Sequence, residues 1–115
     1  MLEGAHVKLI YVCSPCRGIP PYDPDKTRLN IFDAGEYCRE VIKAGHIPMA
    51  PHYFYRDIFN DEHSEQRAKA LEIGLNLLSK CDALWVFGLE ISEGMKKEIA
   101  RAKVFGIPVL YRDGV

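Results

Sequence analysis

The chain has 115 residues, with 15 Lys and Arg against 16 Asp and Glu, a formal net charge of −1 and a pI near 6.4. That length holds a single core, so 1–115 reads as one domain, and the charge balance argues against electrostatic capture of nucleic acid or of an anionic membrane. No apolar run reaches the ~18–20 residues of a membrane span, and the start MLEGAHVKLIYVC has neither basic n-region nor cleavage site, so a cytoplasmic globular protein is expected.

Val7 to Cys13 is β-branched and aromatic, the pattern of a buried strand. Ser14 to Asp25 holds four prolines and a glycine and reads as a loop. From Lys26 to Ala44, the residues Ala34, Tyr37, Cys38, Val41 and Ile42 recur at helical spacing, with Gly45 closing the helix. His46 to Ala50 is a short strand ending at Pro51, and His52 to His63 is polar and aromatic without period, a long loop. Ser64 opens a second helix with Ala68, Leu71, Leu75 and Leu78 on one stripe. Asp82 to Phe87 is a continuous apolar strand ended by Gly88. Ser92 caps a third helix carrying Met95, Ile99 and Ala102, Gly106 terminates it, and Ile107 to Tyr111 is a last strand.

Near-continuous apolar strands separated by helices form βαβ crossovers, hence a parallel sheet covered on both faces. The expected fold is a small Rossmann-like or flavodoxin-like three-layer α/β domain with four to five strands. Ligands of such sheets bind beyond the carboxyl ends of the strands. That places the site among Cys13 to Asp25, Pro51 to Asp61 and Gly88 to Gly94.

The chemistry-bearing residues fall in those segments. Ser92 and Gly94 open a helix whose free N–H groups suit an anion. Glu98, nearly two turns in, lies roughly 60–70° from the centre of the Met95, Ile99 and Ala102 stripe at ~100° per residue. It is the acid most suited to being held against the protein, as nucleophile or electrostatic stabiliser, or else a surface glutamate beside Arg101. In the first loop Ser14 offers a hydroxyl, Arg17 a bidentate phosphate clamp and Gly18 an accessible N–H, or the segment is an ordinary turn. Tyr11 reads as a core aromatic or a hydroxyl aimed into the cleft, and His52 as a ligand contact or a cap of its own loop. Tyr53, Phe54 and Tyr55 suit stacking on a base or a small satellite core. Asp82 suits binding backbone N–H groups, and His46 and His63 read as surface residues. Cys13 and Cys16 form CSPC, but Arg-Gly-Ile-Pro-Pro follows instead of a helix, and Cys38 and Cys81 offer no second ligand pair. No metal or cofactor is expected.

Together Tyr11-Val12-Cys13-Ser14-Pro15-Cys16-Arg17-Gly18, His52, Cys81-Asp82 with its apolar strand, and Ser92-Glu93-Gly94-Met95-Lys96-Lys97-Glu98 resemble the nucleoside 2-deoxyribosyltransferase superfamily. Within it the 2′-deoxynucleoside 5′-monophosphate N-glycosidase branch is most similar, and the resemblance spans Val7 to Tyr111. It implies cleavage between a deoxyribose C1′ and a nucleobase, with Glu98 attacking C1′ and Tyr11 orienting the nucleophile or the sugar. It further implies Ser92, Gly94 and Arg17 on the 5′-phosphate, the loop around His52 near the base, and a small-molecule nucleotide or nucleoside, not nucleic acid or membrane, as the partner. Family members carry an Asp in the second helix that helps protonate the leaving base; that position here is Gly74. A neighbouring subunit commonly lends a polar residue, so a homo-oligomer is expected. Two other functions compete: a non-catalytic nucleotide-binding module, and a redox protein built on CSPC.

Overall fold

The computed structural model describes residues 7–16, 23–59 and 63–112. In chain order it holds β1 (Leu9–Cys13), α1 (Pro24–Lys43), β2 (Ile47–Met49), α2 (Pro51–Phe54), α3 (Ser64–Leu78), β3 (Ala83–Phe87), α4 (Glu93–Val104) and β4 (Val109–Arg112). Four parallel strands form a sheet in the order β2-β1-β3-β4. The chain steps from β1 outward to β2, then crosses back over β1 to reach β3. The carboxyl ends of β1 and β3 therefore flank the switch point, where a doubly wound sheet opens a crevice.

Alternation along the strands divides the core into two. Tyr11, Cys13, Leu84 and Val86 face α3 and α4, where Leu78, Met95, Ile99 and Ala102 meet them. Ile10, Val12, Trp85 and Phe87 point the other way, toward Cys38 and Val41 of α1. Tyr37 of α1 stacks on Phe87 with ring centroids 4.6 Å apart. At the sheet's amino end, Asp82 accepts from the Leu9 N–H at 2.7 Å, the backbone role its position suggested. His46 accepts from the Lys8 N–H at 3.1 Å. Among the described residues no helix is long and apolar enough to cross a membrane.

Several boundaries differ from the sequence reading. α1 begins at Pro24, inside the expected loop: Asp23 caps it by accepting from the Asp25 and Lys26 N–H groups, and proline loses nothing at a first-turn position. Part of the expected long loop is helical, because Pro51 opens the single turn of α2 and carries His52. The start of α3 at Ser64 agrees with the reading, with His63 at the cap position. Ala68 and Ile42, placed on inward stripes, face solvent. β4 starts two residues late because the Ile107 N–H still bonds the Ala102 carbonyl as the chain leaves α4. β2 is an edge strand with Pro48 at its centre, paired to Ile10.

Leu84 is fully enclosed, whereas Leu110 on the outer strand is 46% exposed. Leu84→Ala should cost about 3 kcal/mol in urea unfolding, and Leu110→Ala less than about 0.5 kcal/mol.

Candidate functional site

A cleft of about 250 Å³ opens at the carboxyl end of the sheet, a size suited to a small molecule. Tyr11, Ser14 and Cys16 enter it from β1 and the loop beyond, Pro51 and His52 from α2, and Arg67, Ala70, Leu71 and Gly74 from α3. The start of α4 supplies Ser92 to Met95, with Glu98 one turn deeper. Ile31, Tyr55, Arg56 and Phe59 complete the lining.

Glu98 is the centre of the arrangement. It makes none of the surface contacts open to a helix glutamate. Its Oε2 accepts from the Tyr11 hydroxyl, and its Oε1 accepts from the Cys13 thiol at 3.4 Å. Both donors sit on one face of β1, two residues apart, so a single strand holds both carboxylate oxygens. Enclosure away from water pushes the Glu98 carboxyl up to about 7, against the pull of the Tyr11 and Cys13 hydrogen bonds, which favour the charged form. The same burial, and the facing carboxylate, raise Tyr11 well above the ordinary phenol range. Tyr11 is thus both a core aromatic, 1% exposed, and a hydroxyl at the cleft.

Gly74 explains how the hydroxyl fits. A Cβ on Gly74 would lie 3.2 Å from Tyr11 Oη, so α3 approaches β1 closely only because no side chain stands there. Glu72 and Asn76 are exposed on other faces of α3.

Ser92 caps α4 as the sequence indicated: its Oγ accepts from the Met95 N–H at 3.3 Å. The Met95 thioether in turn accepts from the Ser92 N–H at 3.4 Å, standing where a capping box uses a carboxylate. Gly94 lies in the first turn and lines the cleft. Ser14 Oγ and His52 Nε2 share a hydrogen bond of 2.9 Å, and burial pushes the imidazole down to about 4, so it is neutral near pH 7. Arg17 and Gly18 lie outside the described residues.

The structure brings together Glu98, Tyr11, Ser14, His52, Ser92 and Gly94. It adds Arg67 and Leu71 of α3, which sequence reasoning did not place at the site, puts Tyr55 of the expected stacking trio on the cleft wall, and sets the Cys13 thiol behind Glu98. The signal for α3 was present: Arg67, Leu71 and Gly74 repeat at helical spacing, but a stripe headed by an arginine does not read as a wall. Cys13 is buried, and its thiol is raised by burial first and then by Glu98. A redox dithiol needs the opposite shift. Among the described residues no group of three or more His, Cys, Asp or Glu side chains could hold a metal ion.

The chain folds like a solved structure of 2-deoxyribosyltransferase from the psychrotolerant bacterium Bacillus psychrosaccharolyticus. The TM-score is 0.63 over 91% of this chain and 72% of that one, at 17% identity. A likeness at that identity shows the fold alone, a Rossmann-like or flavodoxin-like α/β domain on a parallel sheet. A family model described as a domain of unknown function, DUF7768, matches residues 8–112, and the chain belongs to that family. No curated protein matches it.

The two shifted groups act on stability in opposite directions. The folded-state value of Glu98 is raised, so its favourable contribution is complete below about 4.5 and is lost as pH rises through about 7. The folded-state value of His52 is lowered, so its contribution is complete above about 6.5 and is lost as pH falls through about 4. In thermal melts, Glu98→Gln should exceed wild type in Tm at pH 8, and the difference should vanish near pH 4. Gly74→Ala should gain helix propensity of about 1 kcal/mol, yet crowd the Tyr11 hydroxyl and raise the Glu98 titration midpoint, read by carboxyl NMR.

Proposed function

We propose that this protein cleaves the N-glycosidic bond of a (deoxy)nucleoside 5′-monophosphate, with Glu98 as the nucleophile. The observation that carries this reading is the Glu98 carboxylate at the cleft wall, gripped by Tyr11. An oxocarbenium-like transition state at C1′ calls for a carboxylate on one face of the sugar, and a site near pH 7 calls for one that is ionised yet poorly hydrated. The start of α4, with Gly94 permitting close approach, suits the 5′-phosphate, at a distance from Glu98 fixed by one helix. Arg17 and Gly18 would add a clamp from the first loop. Ser14, oriented by neutral His52, faces the sugar or base, and Tyr55 and Phe59 give the base an apolar wall. The fold shared with a 2-deoxyribosyltransferase supports the reading without deciding it. Hydrolysis is favoured over transfer because Ser92 occupies the position where the transferase branch tends to carry aspartate. The site would act in the cytoplasm, on a small molecule rather than nucleic acid, and a second copy of the chain would complete it.

A second reading has its own observation. Gly74 places no acid beside the departing base, so the cleft could bind a nucleotide without turning it over.

Incubation with each common deoxynucleoside monophosphate should release free base, detected by chromatography. The rate should rise with pH along a limb centred on about 7, as Glu98 ionises. Glu98→Ala should lose about 10³-fold or more, and Tyr11→Phe about tenfold. No base from any of them, with Glu98→Ala indistinguishable from wild type, overturns the proposal. Thermal stabilisation by nucleotide without turnover establishes the binding module instead.

A further inference from the structure

We infer that Cys13 is a positioning residue for Glu98: its buried thiol anchors Oε1, and so leaves Oε2 as the oxygen presented to a substrate. The catalytic sense of this inference rests on the function proposed above; the contact itself does not.

Three observations carry it. First, Cys13 Sγ lies 3.4 Å from Glu98 Oε1, an ordinary separation for a sulfur donor. The competing acceptor, the Met95 carbonyl, is farther at 3.9 Å. A thiol has one proton, and a carboxylate is the stronger acceptor. Second, Cys13 is fully enclosed, packed with Leu78, Leu84 and Met95. The thiol stays protonated there, because burial and the facing carboxylate both disfavour the thiolate. Third, the two carboxylate oxygens differ in what lies beyond them. Tyr11, the partner of Oε2, lines the cleft and touches the space left by Gly74, whereas Cys13 is absent from the cleft wall. Oε1 is the rear oxygen and Oε2 the front one.

The consequence for the reaction is specific. The Oε2–C1′ bond forms as the C1′–N bond breaks, and the electron pair goes to the base nitrogen, which takes a proton from water. Oε1 becomes the ester carbonyl oxygen and remains hydrogen-bonded to the thiol. Attack of a second water on C1′ returns the pair to Oε2, and the proton that this water loses goes to the hydroxide left by the first. Throughout, two donors on one rigid strand prevent the carboxylate from rotating. Serine would serve less well: the C–O bond is shorter than C–S, so its hydroxyl would reach less closely toward Oε1 and make a weaker contact.

The groups acting on Glu98 are Tyr11 and Cys13 from β1. Arg67 of α3, His52 of α2, Tyr55 and Arg56 just beyond it, and Cys16 and Glu93 line the same cleft. The test therefore reads Glu98 directly. With carboxyl-labelled glutamate, and the resonance assigned by Glu98→Gln, Cys13→Ala should raise the Glu98 midpoint by about half to one pH unit. Cys13→Val, which fills the space without a donor, should do the same, and Cys13→Ser should return partway toward wild type. The acid limb of base release should move with the midpoint, and kcat at pH 8 should fall about three- to tenfold in Cys13→Val. A merely structural role lowers Tm and leaves the midpoint in place, with Val and Ser alike; that result overturns the inference. If no deoxynucleoside monophosphate is cleaved, the function fails, while the midpoint still decides the contact. If Cys13→Ala does not fold, the comparison of Val with Ser decides.

Discussion

A carboxylate taken out of water must be given back its hydrogen bonds, and Glu98 receives two of them from a single strand. Much of the site's construction follows from that demand. The donors must share a face, which fixes Tyr11 and Cys13 at a spacing of two. The strand must not shift, and β1 is interior, paired on both sides. The helix bearing the carboxylate must start at a defined place, which the cap formed by Ser92 and Met95 secures. The neighbouring helix must yield space to a phenol, which Gly74 does. Each choice is local, and each is tied to the one charge.

The crossover pattern supplies the rest of the cleft without special sequence. Because the strands are parallel, the segments leaving β1, β2 and β3 gather at one end of the sheet, and the reversed order of winding opens a crevice between β1 and β3 there. His52 reaches the site this way, brought by a single helical turn, and Ser14 meets it from the next strand over. The Glu98 and His52 environments are then set by enclosure rather than by charge pairs: both ionisable groups are pushed toward their neutral forms. A cleft that resists charge in this way suits a reaction in which charge appears only in passing.

Much of the fold was legible because periodicity reports burial. The continuous apolar runs of β1 and β3 announced interior strands, and Ser92, Gly45 and Gly106 punctuated helices as read. What failed was decided by competition between local options. Pro24 is equally at home in a loop or at the first turn of a helix, and only the Asp23 cap settles it. Ile42 sits at the margin of its stripe, where the curvature of packing rather than sequence decides. At the site, Glu98 was legible from its angle to the Met95 stripe, whereas Cys13 was not. A cysteine in an apolar strand looks the same whether its thiol meets a methyl group or a carboxylate, and that partner lies 85 residues away in the chain.

Pro48 has a consequence for the outside of the sheet. In β2 the Ile47 N–H turns inward to the Lys8 carbonyl, so the next residue along is the one whose N–H would face outward. That residue has none. The proline therefore takes nothing from the sheet's own ladder, while removing a donor at the centre of the edge a further strand would pair with. That missing hydrogen atom blunts this flank of the sheet against a further strand and leaves the β4 edge the better equipped of the two.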